Sequence, residues 1–321
     1  MIHHSLGSTG LDVSTLGLGC LGMSDFYGPA DRSESIATIH AALDAGITFL
    51  DTGDFYGMGH NELLLHEALQ GRMREQVVLS VKFGALRDPA GNWSGIIDGR
   101  PEAIKNFLAY TLRRLGTDYV DVYRPARLDP HVPIEETIGA IGDMVKAGYV
   151  RHIGLSEVGS DIIRRAQAIH PISDLQTEYS LLSRTIEGDI LPTCRELGIG
   201  ITAYGVLSRG LLSGHYATTP GDFRGVVSSL QGENLKRNLS LVETLRAIAD
   251  AKGTTVAQIA IAWVLSRGQD IVPLIGARRR AQLTESLEAL QFALTGADLA
   301  QIEQAIPAGA AAGFHHAEAI E

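Results

Sequence analysis

Short apolar runs alternate with longer amphipathic stretches along almost the whole chain, and few architectures accommodate that rhythm. The runs are Leu16–Cys20, Ile47–Leu50, Val77–Val81, Tyr119–Tyr123, Val150–Leu155, Asp174–Gln176, Ile199–Ala203 and Ile271–Leu274. Each reads as a strand covered on both faces, as the strands of a parallel sheet are. The stretches between them repeat apolar residues at helical spacing. Ser33–Ala45 carries Ile36, Ile39, His40 and Leu43 behind a candidate N-cap at Asp31 or Ser33. Glu102–Leu115 carries Ile104, Leu108, Leu112 and Leu115, and Ile134–Lys146 carries Ile134, Ile138, Ile141 and Val145. Ile162–Ala168, Ile190–Leu197 and Gln282–Leu290 follow the same rule. Three helices stop at Gly46, Gly148 and Gly198 and re-enter a strand at once, where a glycine supplies the left-handed C-cap. The count comes to about eight strand–helix units. No Pro- or Ser-rich linker divides them. The pattern predicts an α/β chain folded as one (β/α)8 barrel domain over residues 1–321, with an N-terminal hairpin, Ile2–Val13, and extended loops at the C-terminal face. A doubly wound sheet is the alternative.

Composition narrows the function classes. The chain has 321 residues, 45% hydrophobic and 20% charged, the balance of a globular protein. Lys and Arg number 27 against 37 Asp and Glu, a net charge of −10 that disfavours a nucleic-acid-coating surface. The two cysteines, Cys20 and Cys194, permit no disulfide framework and read as small buried apolar groups in a reducing compartment. No apolar run is long enough to span a bilayer, and the first residues lack the pattern of a signal peptide. The expectation is a cytoplasmic enzyme acting on a small molecule, with no nucleic-acid or membrane partner and an oligomeric state that the sequence does not fix.

One motif misleads. Gly17-Leu-Gly19-Cys-Leu-Gly22 matches G-x-G-x-x-G, but a dinucleotide fingerprint must open a helix and meet an acid about 20 residues on. Here a turn-rich stretch to Pro29 follows, and the nearest acid, Asp44, lies in a helix of its own. A Rossmann domain is therefore rejected. Two long loops, Gly84–Gly99 and Gly205–Gly232, follow strands and fall at the mouth of a barrel, where such folds do chemistry.

Asp51, Tyr56 and Lys82 fall at neighbouring strand ends of such a barrel. A tyrosine can protonate a developing alkoxide, a nearby ammonium lowers its pKa, and a carboxylate holds the ammonium. An ion pair beside a surface tyrosine would leave the same trace. The segments around them decide for chemistry. Thr48-Phe-Leu-Asp51-Thr-Gly-Asp-Phe-Tyr56-Gly and Val81-Lys82-Phe-Gly resemble the signature segments of the aldo-keto reductases. The likeness continues through Leu112–Tyr123, Gly148–Ser156, Gln176–Leu181, Ala203-Tyr204-Gly205 and Ile275-Gly-Ala-Arg278.

That resemblance implies a (β/α)8 barrel binding NADPH (NADP+) at its mouth and reducing aldehydes and ketones. It makes Tyr56 the general acid, Lys82 the group that tunes it, and Asp51 the lysine's partner. Tyr204 would stack on the nicotinamide, with Ser156 and Gln176 on its carboxamide. Gly205, Val206, Leu207, Arg209, Gly210 and Leu211 would follow the pyrophosphate. Arg278, helped by Gln282, would grip the 2′-phosphate after Ile275, Gly276 and Ala277, with Glu285 and Ser286 near the adenine. Gly22 and Met23 complete the cofactor positions.

Three positions depart from the family pattern. Ala126 stands where a histidine is usual in Tyr123-Arg-Pro-Ala126-Arg-Leu-Asp129-Pro130, Glu157 follows Ser156 where Asn is usual, and Ser286 replaces a frequent Asn. Loss of the histidine removes one donor to the substrate carbonyl and enlarges the pocket, with Phe26, Tyr27, Trp93 and Ala126 as candidate substrate wall. A regulatory NADPH-binding protein of slow turnover is the alternative function, and operation as an alcohol dehydrogenase is the same chemistry reversed. His3, His4, His315 and His316 read as solvated pairs rather than metal ligands, and Trp263 as core.

Overall fold

The computed structural model describes residues 2–24, 26–214, 216 and 223–314. His315 and His316 lie outside the described residues. The chain opens with an antiparallel hairpin of β1 (His3–Leu6) and β2 (Leu11–Ser14), then runs through β3 (Gly17–Gly19), α1 (Arg32–Asp44), β4 (Phe49–Gly53) and α2 (His60–Ala68). Next come β5 (Val78–Phe83), a second hairpin of β6 (Ala85–Arg87) and β7 (Trp93–Ile97), and α3 (Pro101–Leu115). The alternation continues with β8 (Val120–Pro125), α4 (Ile134–Lys146), β9 (Val150–Ser156), α5 (Ser160–Ile169), β10 (Ile172–Glu178), α6 (Ile190–Leu197) and β11 (Gly200–Tyr204). Helices α7 (Gly232–Ala251) and α8 (Val256–Leu265) precede β12 (Ile271–Gly276), followed by α9 (Arg280–Glu288) and α10 (Gly296–Ala305). Eight parallel strands close in the order β10-β11-β12-β3-β4-β5-β8-β9. This is a (β/α)8 barrel with an N-terminal hairpin, and the doubly wound alternative falls away.

The expected strands begin within two residues of the observed ones and, apart from Leu16–Cys20, which overshoots β3, they stop short. Asp51 and Lys82 lie inside β4 and β5, which continue to Gly53 and Phe83, so neither residue closes its strand. Helix starts hold better. The carboxylate of Asp31 accepts from the Glu34 N–H at 2.7 Å, so Asp31 and not Ser33 caps α1. Gly46, Gly148 and Gly198 all carry positive φ, as a left-handed helix stop requires. The loop 84–99 is not irregular, because it folds back as β6–β7.

The strands' outward side chains, among them Leu50, Val81, Tyr123 and Leu155, join the helices in one large core, where Trp263 is fully buried as expected. Each such side chain contributes about 1.5–3 kcal/mol. The inward side chains form a different interior. At its lower end Phe49, Val122, Val272 and Leu274 pack on Leu6, Leu11 and Val13 of the first hairpin, which plugs the barrel. Gly17 belongs here: a Cβ on it would lie 2.5 Å from Leu274 Cδ2 and 2.7 Å from Phe49 Cδ1. Packing accounts for it. No α-helix follows Gly22 before Arg32, so the fingerprint is indeed spurious.

Above the plug the interior is ionic. Arg124 and Asp174, both fully buried, pair at 2.8 Å across β8 and β10. Arg124 also donates to Ser80 Oγ at 3.0 Å, and Thr202 Oγ1 donates to Asp174. A Cβ on Gly154 would come within 3.0 Å of both Arg124 and Asp174, so the glycine makes their room. Removing one member strands the other charge, a loss of about 3–5 kcal/mol. Arg124→Met is therefore expected to lower the urea midpoint sharply, and Arg124→Met with Asp174→Leu to recover much of the loss. A midpoint unmoved in the single variant would contradict this reading of the interior.

Candidate active site

The register of the barrel builds the site. Asp51 pairs with Ser80, and Gly53 with Lys82, so Asp51 and Lys82 both face inward, about one strand rung apart. Lys82 Nζ donates to Asp51 Oδ1, and both side chains are buried. Asp51 Oδ2 accepts from Ser80 Oγ at 3.0 Å and from Gln176 Nε2 at 2.7 Å. The carboxylate is thus saturated and its lysine held in place. The loop leaving β4 is tied down by the Asp54 N–H, which donates to the Lys82 carbonyl at 2.9 Å. Burial, with Glu62 adding, pushes the Asp54 carboxyl up to about 8.

Two residues on, Tyr56 opens a short 3-10 turn in which Gly57 and Met58 are left-handed. The tyrosine is buried, Phe55 packs edge-on against it at 4.8 Å, and Lys82 Nζ lies 5.1 Å from its ring centroid. The three residues expected to act together do meet. Their electrostatics differ from expectation in one respect. Burial, and then Asp51, raise the Tyr56 phenol well above its ordinary value, and Arg127 is the cation that chiefly opposes them. Burial lowers Lys82, against which Asp51 acts. At neutral pH Tyr56 is a protonated phenol, equipped to give a proton rather than take one.

Ala126 follows β8, buried, its N–H on the Phe83 carbonyl at 2.8 Å. Its neighbour Arg127 escaped the sequence-based expectations. Arg127 NH1 donates to the Ala126 carbonyl at 2.7 Å and to Ser156 Oγ at 3.4 Å. Burial works to lower it, but Tyr204, Glu157 and Tyr56 outweigh that and raise it. A charged residue directly after an inward-facing strand end was the available signal. Ser156 ends β9, and Tyr204 ends β11. Gln176, expected on a carboxamide, gives its amide nitrogen to Asp51. Glu157 adopts a left-handed backbone, φ 53°, and its Oε1 accepts from the Glu178 N–H at 2.8 Å.

The rim beyond carries the expected arginines, each already anchored. Arg209 pairs with Glu178 at 2.7 Å, in a loop where Ser208, Arg209 and Gly210 are left-handed in succession. The buried Glu178 Oε1 has no partner. Arg224 stands 5.6 Å from the Tyr27 ring centroid and 5.5 Å from that of Tyr216. Arg278 NH1 donates to the Tyr27 carbonyl at 2.7 Å, while its own N–H meets Gln282 Oε1 at 3.2 Å. Tyr27 therefore joins three guanidiniums from distant segments into one basic rim. Gly276, at the end of β12, is exposed, and a Cβ there would meet nothing within 4 Å.

The remaining expected residues scatter. Met23 is buried in the main core and Gly22 is half-buried beside Tyr27. Val206 and Leu211 are buried and Leu207 packs on the core. Ile275 and Ala277 are also buried. Glu285 is half-buried, and the Ser286 hydroxyl is spent on the Gln282 carbonyl at 2.9 Å. Arg280 starts α9 and holds Glu34 at 3.0 Å, so the three-arginine run divides between the rim and a surface pair. Trp93 is exposed on β7, and Arg87 stands 5.0 Å from the ring centroid of Phe26, which has a left-handed backbone. His3 bonds Asp12 at 3.3 Å. Among the described residues no group of three or more His, Cys, Asp or Glu side chains could hold a metal. None of their helices is long and apolar enough to cross a membrane. A cleft of about 370 Å³ opens at the opposite end of the barrel, near Asp12, Thr48 and Val77, remote from Tyr56.

Comparison with known proteins agrees with the fold. The aldo/keto reductase family model matches residues 15–307. A probable aldo-keto reductase 1 of Glycine max is 39% identical over 329 aligned positions, covering 98% of this chain and 92% of that protein. Among solved structures, a glycerol dehydrogenase from Gluconobacter oxydans superposes with a TM-score of 0.84 at 27% identity, covering 94% of each chain. A thermostable aldo-keto reductase solved with the inhibitor epalrestat gives 0.77 at 29% identity, covering 95% of this chain and 100% of that one. The match runs unbroken from the first barrel strand past the last, and the chain belongs to the aldo/keto reductase family, oxidoreductases of carbonyl and alcohol groups that generally use nicotinamide cofactors.

Proposed function

We propose that the protein is a single-domain cytoplasmic reductase that converts aldehydes and ketones to alcohols with NADPH, Tyr56 acting as general acid. The observation that carries this is the protonated, buried Tyr56 set against the Lys82–Asp51 pair. The donor set fits the cofactor. A polyanion needs cations and open backbone, and the rim offers Arg209, Arg224 and Arg278 beside the open surface of Gly276. Arg278 and Gln282 would hold the 2′-phosphate, loop 205–211 the pyrophosphate, and Ser156 with Tyr204 the nicotinamide end. When bound, the dinucleotide supplies the hydride.

The chain's own groups do the rest. The Tyr56 hydroxyl gives its proton to the carbonyl oxygen as negative charge develops there. Lys82, fixed by Asp51, faces the phenolate that is left and stabilises it. Asp51 cannot drift, because Ser80 and Gln176 occupy its other oxygen. Ala126 offers no donor and leaves the space of an imidazole, which suits a bulkier ketone or a bridging water. The missing donor also favours the second reading, a regulatory NADPH-binding protein that turns over slowly.

Turnover separates the two. Carbonyl-dependent NADPH oxidation, followed by absorbance over a panel of aldehydes and ketones, is expected to be rapid. Tyr56→Phe should cut kcat at least ~100-fold while NADPH binding persists. The wild-type rate of reduction should hold through neutral pH and fall only as the phenol deprotonates, above its ordinary ~10. An active Tyr56→Phe variant would refute the assignment. Arg278→Ala removes a charge-assisted contact, so the KM for NADPH should rise roughly tenfold or more and that for NADH little. Equal effects on the two would remove the 2′-phosphate role. Ala126→His should favour small aldehydes over bulky ketones, and an unchanged ratio between them would count against an enlarged pocket.

A further inference from the structure

Arg224 reaches the rim from a segment with little regular structure, two 3-10 turns at Phe223–Val226 and Ser228–Leu230. Its backbone bonds are local: the Val227 N–H meets the Arg224 carbonyl at 3.3 Å, and the Leu230 N–H meets the Val227 carbonyl at 2.9 Å. Side-chain amides at the start of α7 tie this segment to the helix. Gln231, Asn234 and Asn238 fall three and four residues apart, a spacing that puts them on one helical face. Gln231 Nε2 donates to the Gly225 carbonyl at 2.7 Å, Asn234 Nδ2 to that of Ser228 at 3.1 Å, and Asn238 Nδ2 to that of Ser229 at 2.9 Å.

Asn238 does more. It is fully buried, and it also grips the segment that follows α10: Nδ2 donates to the Ala312 carbonyl at 2.9 Å, and Oδ1 accepts the Ala312 N–H at 2.8 Å. Beside it Arg237 Nε donates to the Ala310 carbonyl at 2.8 Å, and Phe314 packs on the main core. Gly313, at φ 75°, lies so close that a Cβ on it would come within 2.7 Å of the Ser229 N and Cα. At the far end of the 223–230 segment, Arg224 NH1 donates to the Arg209 carbonyl at 3.4 Å, beside the Tyr27 ring. We infer that Asn238 is a positioning residue for the cofactor: it joins the segment 307–314 to the segment that carries Arg224, and so sets how firmly the rim grips the dinucleotide's phosphates. The inference rests on the reading of the rim as the NADPH site. A buried amide that loses its side chain leaves polar groups of both segments without partners, so neither segment keeps its place. A cation fixed before its anion arrives gives up less freedom on binding it.

The test is a double-variant cycle on NADPH affinity, measured by calorimetry with no carbonyl substrate. Arg224→Gln should weaken binding about tenfold or more, and Asn238→Ala about threefold or more. Because Asn238 acts through Arg224, Asn238→Ala should cost less than about twofold in the Arg224→Gln background. Salt reads the charge itself. The fall in affinity with ionic strength should be shallower than wild type in both single variants, and no shallower still in the double. Gly313→Ala presses the segment 307–314 away from Ser229 with Asn238 intact, and it should repeat the weakening, so the cycle can be run through it where Asn238→Ala does not fold. Losses that multiply in the double variants would overturn the inference. So would a salt dependence or an affinity unchanged from wild type in both Asn238→Ala and Gly313→Ala. Wild-type protein that binds neither NADPH nor NADH would overturn it together with the reading it rests on. Coupled NADPH binding in a protein that reduces no carbonyl would leave the inference standing and remove only the reductase reading.

Discussion

The mouth of this barrel depends on a column of ionised side chains threaded through its interior. Lys82 meets Asp51, Asp51 meets Ser80, Ser80 meets Arg124, Arg124 meets Asp174, and Asp174 meets Thr202. Taking such charges out of water costs several kcal/mol per ion, which only saturated geometry offsets. The pairing is supplied by five strands at once, with Arg124 Nε left without a partner, so the column holds only while β4, β5, β8, β10 and β11 keep their mutual register. The hairpin plug below serves the same end. Leu6, Leu11 and Val13 seal the lower interior with apolar volume and leave the polar groups one open direction, toward Tyr56.

The rim is built on a different principle. Its arginines come from the segment after β11, from residue 224 and from the end of β12, and Tyr27 is where they converge. A backbone carbonyl orients the guanidinium of Arg278 and an aromatic ring that of Arg224, and the Glu178 carboxylate pairs with that of Arg209.

This division explains what could be read from the sequence. The barrel, its hairpin and most helix starts follow from apolar periodicity, because the outward faces of the strands and the inner faces of the helices are apolar throughout. Strand ends were cut short where the apolar runs stopped, at Leu50 and Val81. The next residues are polar because they face the ionic interior, not because the strand has ended. Arg124 and Asp174 were invisible for the same reason: a charged residue within a strand reads as a boundary until the partner across the barrel is known. Helix α8 is apolar on nearly every side and buried, so it has no stripe to detect, though Trp263 marked it as core. The site triad was legible because each member lies beside a distinctive local segment. Arg127 was not, since its surroundings, Ser156 among them, are brought to it by the end of another strand.

The overall charge of −10 can now be assigned a place. In the interior Asp51 and Asp174 balance Lys82 and Arg124, and at the mouth Glu178 balances Arg209. The interior column is therefore close to neutral. The excess acid belongs to the outer surface and says nothing about the site. In a neutral, buried column a single added negative charge is felt more strongly by the cations nearest to it than it would be in water. A phenolate left on Tyr56 is such a charge, and Lys82, 5.1 Å from the ring centroid, is a cation set against it.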